Sequence, residues 1–240
     1  MNSSPNRSND RFATTRWSLV LGAGEAAGAR SALGELARRY LYPAYVYVRR
    51  CGHPPAVAAD IARRFLRHLT ADVAREGAQS AQGHYRSYLL TRLNAFLTGG
   101  RDAPAADAGA EPETDMPPDL EERYQHDLVD ALTPERGYER AFALQVLHRT
   151  LRRLRSEAAQ TGHLGMYDKL EPYLGRDPAP GEYEFIAAGL RTRPLTLVMA
   201  LKRLRQRFRE LAAEELVDTV ASAEDLVTEQ DALLAVLGGT

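Results

Sequence analysis

Residues 194–211, PLTLVMALKRLRQRFREL, decide how the chain is read. Leu197, Leu201, Leu204, Phe208 and Leu211 recur at spacings of four, three, four and three, which is one stripe of an α-helix. Pro194 stands at the start, where a missing N–H costs nothing. Lys202, Arg205, Gln206 and Arg209 fall on the far face, with Arg203 and Arg207 on the flanks. A buried stripe opposite a cationic face suits a groove lined with phosphates. It equally suits a solvated helix docked on its own domain. The residues before it bear on the choice.

Those residues are a short helical pattern over 182–190, with Tyr183, Ile186, Ala187 and Leu190 inward, and a tight connection at 191–193. Short helix, turn and longer basic helix make a helix-turn-helix pattern, which other all-α domains also contain as a plain helix pair. Upstream, TPER at 133–136 is a helix start with Thr133 as cap. Phe142, Val146, Leu147, Leu151 and Leu154 continue its stripe to about residue 160. A shorter helix follows over 162–174, then a loop with two prolines over 176–181.

A first body precedes these. Residues 1–11 are polar and expected to be disordered, and Thr14 or Thr15 can cap a short helix through Trp17, Leu19 and Val20. Helical periodicity then covers 31–50, with a kink or break expected near Tyr42 because Pro43 lies inside the run. A second helix over 55–74 turns Val57, Ile61, Phe65, Leu66 and Leu69 inward and Arg63, Arg64, Arg67 and His68 outward. A third runs over 83–98 and stops at Gly99. Residues 102–132 are rich in Ala, Pro, Asp and Glu and carry little periodicity, the mark of a linker. A last acidic amphipathic helix is expected over 222–237. No segment alternates like a strand. The expected fold is all-α: helical domains over 12–101 and 133–217, an acidic flexible linker over 102–132, and an acidic tail over 218–240.

Charge follows the same plan. The net charge is −1, but residues 1–101 carry +9, 102–139 carry −10, 140–211 carry +7 and 212–240 carry −7. Two basic bodies suit a polyanion partner, and acidic segments can compete for the same surfaces or simply keep the chain soluble. Cys51 is the one cysteine, so no disulfide framework or CxxC metal site can form. The six histidines show no metal-ligand spacing, and no phosphate loop or nucleophile elbow is present. No cofactor, metal or enzymatic activity is expected. The polar N-terminus lacks a signal-peptide core and no apolar run is membrane-spanning, so the expectation is a cytoplasmic protein without a membrane partner.

Two separated stretches carry a family resemblance. FATTRWSLVLGAG with ALGELARRYLYPAYVYVRRCGHPPAVAADIARRFLRHL resembles the N-terminal half of an extracytoplasmic-function sigma factor, in the branch that opens Thr-Thr-x-Trp-Ser. TPERGYERAFALQVLHRTLRRLR and YEFIAAGLRTRPLTLVMALKRLRQRFREL resemble the approach to region 4 and region 4 itself. Together they cover about residues 12–98 and 133–217. The resemblance implies binding to the clamp helices of core RNA polymerase by the first two helices, here through Tyr40, Asp60, Arg63, Arg64 and Phe65. It implies contacts to the −10 promoter element from the third helix, here Tyr85, Arg86, Arg92 and Asn94. It implies −35 contacts from the helix-turn-helix, here Arg191, Arg193, Thr196, Lys202, Arg203, Arg205 and Arg209. Core polymerase and promoter DNA are the implied partners, with a regulatory protein or kinase as a further one.

The chain departs from that pattern in three places. Arg63 and Arg64 stand where the family carries glutamine and glutamate, a repulsive exchange for a partner that expects a carboxylate. Thr70 lies near this altered face, where a phosphate would restore negative potential. Gly99 and Gly100 end the third helix where the family continues through tryptophan and basic residues. In the turn, Arg191 and Arg193 replace the glycine and the capping serine, and Val198 replaces a DNA-facing lysine. Leu195, Thr196 and Val198 are a poor donor set for base edges. Two readings stay open: a sigma-like initiation protein, and a sigma-derived interaction protein that kept the fold and lost or made conditional its polymerase or promoter binding.

Overall fold

The computed structural model describes residues 26–76, 85–99, 119–127, 132–217, 226–228 and 231. The readings for residues 1–11 and for a helix through Trp17 lie outside the described residues. Of the expected tail helix, only 226–228 and 231 are described, and they are helical. Every element among the described residues is a helix. They are α1 (Ala26–Arg50), α2 (Pro55–Glu76), α3 (Tyr85–Thr98), α4 (Leu120–Asp127), α5 (Pro134–Gln160), α6 (Leu164–Leu170), a 3-10 turn (Glu171–Tyr173), α7 (Glu182–Gly189) and α8 (Pro194–Val217). The all-α expectation therefore holds for these residues. None of the described helices is long and apolar enough to cross a membrane.

The chain divides into two compact units, Met1–Gln145 with Leu216–Thr240, and Val146–Glu215. The division falls inside α5, so that the second unit begins at Val146 and not at 133 as expected. The reason is visible in the first half of α5, where Tyr138, Ala141, Phe142 and Ala143 are buried in the first unit. Phe142 stacks on Tyr40 of α1 at 5.5 Å and 9°. The Gln145 amide donates to the Arg38 carbonyl at 2.7 Å.

In the first unit α1 and α2 form a pair closed by the turn at Cys51 and Gly52. Ala44 and Val48 of α1, Ile61, Ala62, Phe65, Leu66 and Leu69 of α2, and Leu89 and Leu93 of α3 fill its core. Each fully buried Leu or Phe is worth about 1.5–3 kcal/mol. α1 runs unbroken through Pro43, so no break occurs at Tyr42. The proline costs one hydrogen bond, and its buried neighbours Tyr42, Ala44 and Tyr45 hold the helix together. Val57, expected inward, is exposed, because Ala58 and Ala59 take the inward positions of that turn.

The expected linker is not structureless throughout. Residues 120–127 form α4, which buries Leu120 and Tyr124, one helical turn apart, against α1.

In the second unit α8 supplies the central stripe. Leu197, Leu201 and Leu211 are fully buried, and Leu204 and Phe208 are partly so. Leu197 and Leu201 pack with Leu170, Tyr173, Ile186 and Ala187. Leu211 packs with Leu154 and Tyr167. α6 ends early: Pro172 lacks an N–H, and residues 171–173 tighten into the 3-10 turn.

Candidate nucleic-acid interface

The turn between α7 and α8 has a defined closure. The N–H of Thr192 returns to the Ala187 carbonyl at 3.0 Å and that of Arg191 to the Ala188 carbonyl at 3.3 Å. This pair of bonds is a Schellman ending, whose middle residue must be left-handed. Arg191 occupies that position at φ 51°. The backbone conformation that glycine serves is thus retained without glycine, at a cost of about 1–2 kcal/mol. Arg193 then starts α8: its carbonyl accepts from the N–H groups of Thr196 at 3.0 Å and Leu197 at 3.4 Å. A guanidinium has no acceptor, so this start lacks the side-chain cap that serine supplies.

The leading face of α8 is apolar and open. Leu195 is 71% exposed and Met199 45%, with Val198 and Thr196 exposed beside them. Phe185 of α7 is exposed as well. Arg191, Arg193, Lys202, Arg203 and Arg209 are all exposed, and they supply positive charge at the turn and along the middle of α8.

Two arginines of the stripe are committed elsewhere. Arg205, expected on the open cationic face, donates to the Tyr173 carbonyl at 3.1 and 2.8 Å and to the Arg176 carbonyl at 2.6 Å, and pairs with Asp177 at 2.9 Å. It satisfies the Tyr173 carbonyl at the end of the 3-10 turn and the Arg176 carbonyl in the loop after it. Arg207 grips both oxygens of Glu157 at 2.9 and 2.8 Å and reaches Glu210 at 3.1 Å. Hydrogen bonding to Arg207 in turn holds the Glu157 carboxyl below its ordinary range.

The first-unit candidates are scattered in exposure. Tyr85 opens α3, but its side chain lies outside the described residues. Arg86 is only 8% exposed, and its carbonyl accepts from the Tyr138 hydroxyl at 3.3 Å. Arg92 is half-buried and Asn94 is exposed. Tyr40 and Phe65 are core side chains, Phe65 lying 5.8 Å from the Phe96 ring. On α2, Arg63 and Arg64 are half-buried, and Arg64 pairs with Asp60 at 2.9 Å. The thinning of open groups here contrasts with the turn of the second unit. Among the described residues no group of three His, Cys, Asp or Glu side chains could hold a metal ion.

A polar cluster beneath α4 went unread in the sequence. Arg49 binds Glu121 through two bonds of 3.0 and 2.8 Å, and the Tyr45 hydroxyl donates to the same carboxylate. The Tyr42 hydroxyl donates to Asp127 at 2.7 Å, and the Arg123 guanidinium lies 3.7 Å from the Tyr42 ring centre. Arg49 hydrogen bonding holds the Glu121 carboxyl down at about 2. Burial, followed by the neighbouring carboxylates, pushes the Tyr42 and Tyr45 phenols well up. The available signal was Leu120 and Tyr124 at helical spacing among acids.

No family model, curated protein or solved structure matches the chain.

Proposed function

We propose that the chain is a sigma-like transcription initiation protein that binds core RNA polymerase and promoter DNA. The observation that supports this reading best is the α7–α8 pair, which has helix-turn-helix order and a closed turn and exposes Arg191, Arg193, Lys202 and Arg203 around it. Such cations attract phosphates whatever the sequence. Leu195 and Val198 offer base edges no hydrogen bond, so the attachment at this helix is chiefly electrostatic. Lys202→Ala is expected to weaken DNA binding evenly across sequences and to lower the slope of log affinity against log salt by about one.

Two observations favour a second reading, a sigma-derived interaction protein. Arg64 pairs with Asp60 on the face where the resemblance implies clamp contacts. The start of α8 presents Leu195 and Met199 to solvent in place of donors. Affinity capture of core polymerase followed by run-off transcription separates the two. Capture and promoter-dependent product with the wild-type chain support initiation. No capture by the wild type, with capture gained by Arg63→Gln/Arg64→Glu, supports the second reading against the first.

A further inference from the structure

We propose that the leading face of α8, with the groove beside it, takes an acidic amphipathic helix from a protein partner. This does not rest on polymerase or promoter binding, because it concerns the open apolar side chains of Leu195 and Met199, which suit neither bases nor phosphates. The groove has a volume of about 670 Å³ and lies wholly within the second unit. That volume falls in the range of ligand-binding clefts. Its floor includes Met166, Leu170 and Leu204, and its lip carries Leu195 and Met199. Leu195 and Met199 are one helical turn apart, so both apolar side chains stand on the same open face of α8. Open apolar side chains of this size beside a groove mark an interaction surface, and methionine adapts readily to a partner.

Charge selects the occupant. Arg193 and Arg203 stand on the groove wall and are exposed. Glu157 also lines the groove, but Arg207 already holds both of its oxygens. The rim is therefore net positive, and complementary charge favours an acidic partner. A second copy joined symmetrically through this face would set cationic rim against cationic rim. Duplex DNA would satisfy the arginines but bring polar edges and phosphates to Leu195 and Met199. A helix with leucines at i, i+3, i+4 and i+7 and glutamates on its flanks satisfies both the floor and the rim.

The test uses the full-length chain and two labelled synthetic helices of about 18 residues, one with leucine at those positions and glutamate on the flanks, the other with lysine for glutamate. Fluorescence anisotropy is expected to give saturable binding of the glutamate helix, about tenfold or more tighter than the lysine helix. Met199→Glu and Arg203→Glu should each weaken it by about tenfold, while Lys202→Glu, outside the groove lining, should change it by less than about threefold. All three side chains are exposed, and unchanged circular dichroism melting confirms that the variants fold. Absence of saturable binding, equal binding of the two helices, or indifference to Met199→Glu and Arg203→Glu overturns the proposal. So does displacement by mixed-sequence duplex DNA if Met199→Glu weakens the DNA equally. Binding that appears only on removal of residues 218–240 assigns the groove to the chain's own tail and also overturns it. A dimer in sedimentation that Met199→Glu dissolves assigns the groove to a second copy, with the same consequence.

Discussion

Each unit ties two helices together with arginine and glutamate, and the two ties lie at different depths. In the first, Arg49 of α1 holds Glu121 of α4, whose side chain is 34% exposed. In the second, Arg149 and Arg153 of α5 converge on Glu215 of α8, at 2.9 Å each, and Glu215 is only 6% exposed. Depth changes what the tie does. Near the surface water screens the charges, and the pair adds a modest increment. In the interior the pair contributes little net stability against an apolar substitute, yet removal of one partner leaves charges stranded. Glu215 is thus a point of fragility, and Glu121 a latch on a short acidic helix.

The largest expected effect comes from breaking the deep tie. Glu215→Ala should destabilise the second unit by about 2–3 kcal/mol, because Arg149 loses a buried carboxylate while the half-exposed Arg153 keeps Glu214 at 2.5 Å. Urea denaturation followed by circular dichroism reads it. A loss below about 1 kcal/mol would place the tie in the surface class. Glu121→Ala should cost less, about 1–2 kcal/mol, and its signature is local: faster hydrogen exchange at the α4 amides with the core of α1 and α2 still protected.

Acid sharpens the same contrast. The folded Glu121 carboxyl titrates near 2, below the 4.5 ordinary for glutamate. A depressed folded value means that its stabilisation is complete above the unfolded value and is lost as pH falls through the folded one. The difference in melting temperature between wild type and Glu121→Gln should therefore be constant near neutrality and shrink from about pH 4.5 towards 2. A difference that stays constant to pH 2 contradicts the assigned cause.

The smallest effects concern the α7–α8 turn, where backbone geometry acts. Arg193→Ser should stabilise the second unit by about 1 kcal/mol by capping α8, and Arg191→Gly by about 1 kcal/mol by relieving the left-handed strain. Gly162, at φ 74° in the like ending of α5, shows the unstrained form of that turn. Thermal melts of the two variants measure both gains. A loss of stability in Arg191→Gly would mean that the arginine side chain compensates its own strain.

Much of the fold was legible because periodicity reports burial directly. The spacing of Leu197, Leu201 and Leu211 marked residues that are fully buried, and the turn residues of α7 and α8 fell within a position of their observed ends. What periodicity misses is short or shared. α4 spans only eight residues with two buried side chains, too few to stand out from an acidic background. α5 gives its halves to different units, and a continuous helical pattern carries no mark of that division. The candidate site was legible in its residue types but not in their commitments. Nothing in the spacing of Arg205 says that it spends its guanidinium on the Tyr173 and Arg176 carbonyls. The α2 pattern does set Phe65 inward and Arg63 and Arg64 outward, but nothing in it says that the two arginines are half-buried or that Arg64 pairs with Asp60.

The phenols of Tyr42 and Tyr45 give the first unit an optical reporter. Both sit under α4 and ionise well above an ordinary tyrosine. In an alkaline titration followed by phenolate absorbance they should contribute to a late step, together with Tyr47, Tyr167 and Tyr173, whose phenols burial also pushes up. Lifting α4 from α1 removes both the burial and the carboxylates that delay Tyr42 and Tyr45, so their part of the late step moves to lower pH. The docking of an eight-residue helix can thus be followed by ultraviolet absorbance, without a label.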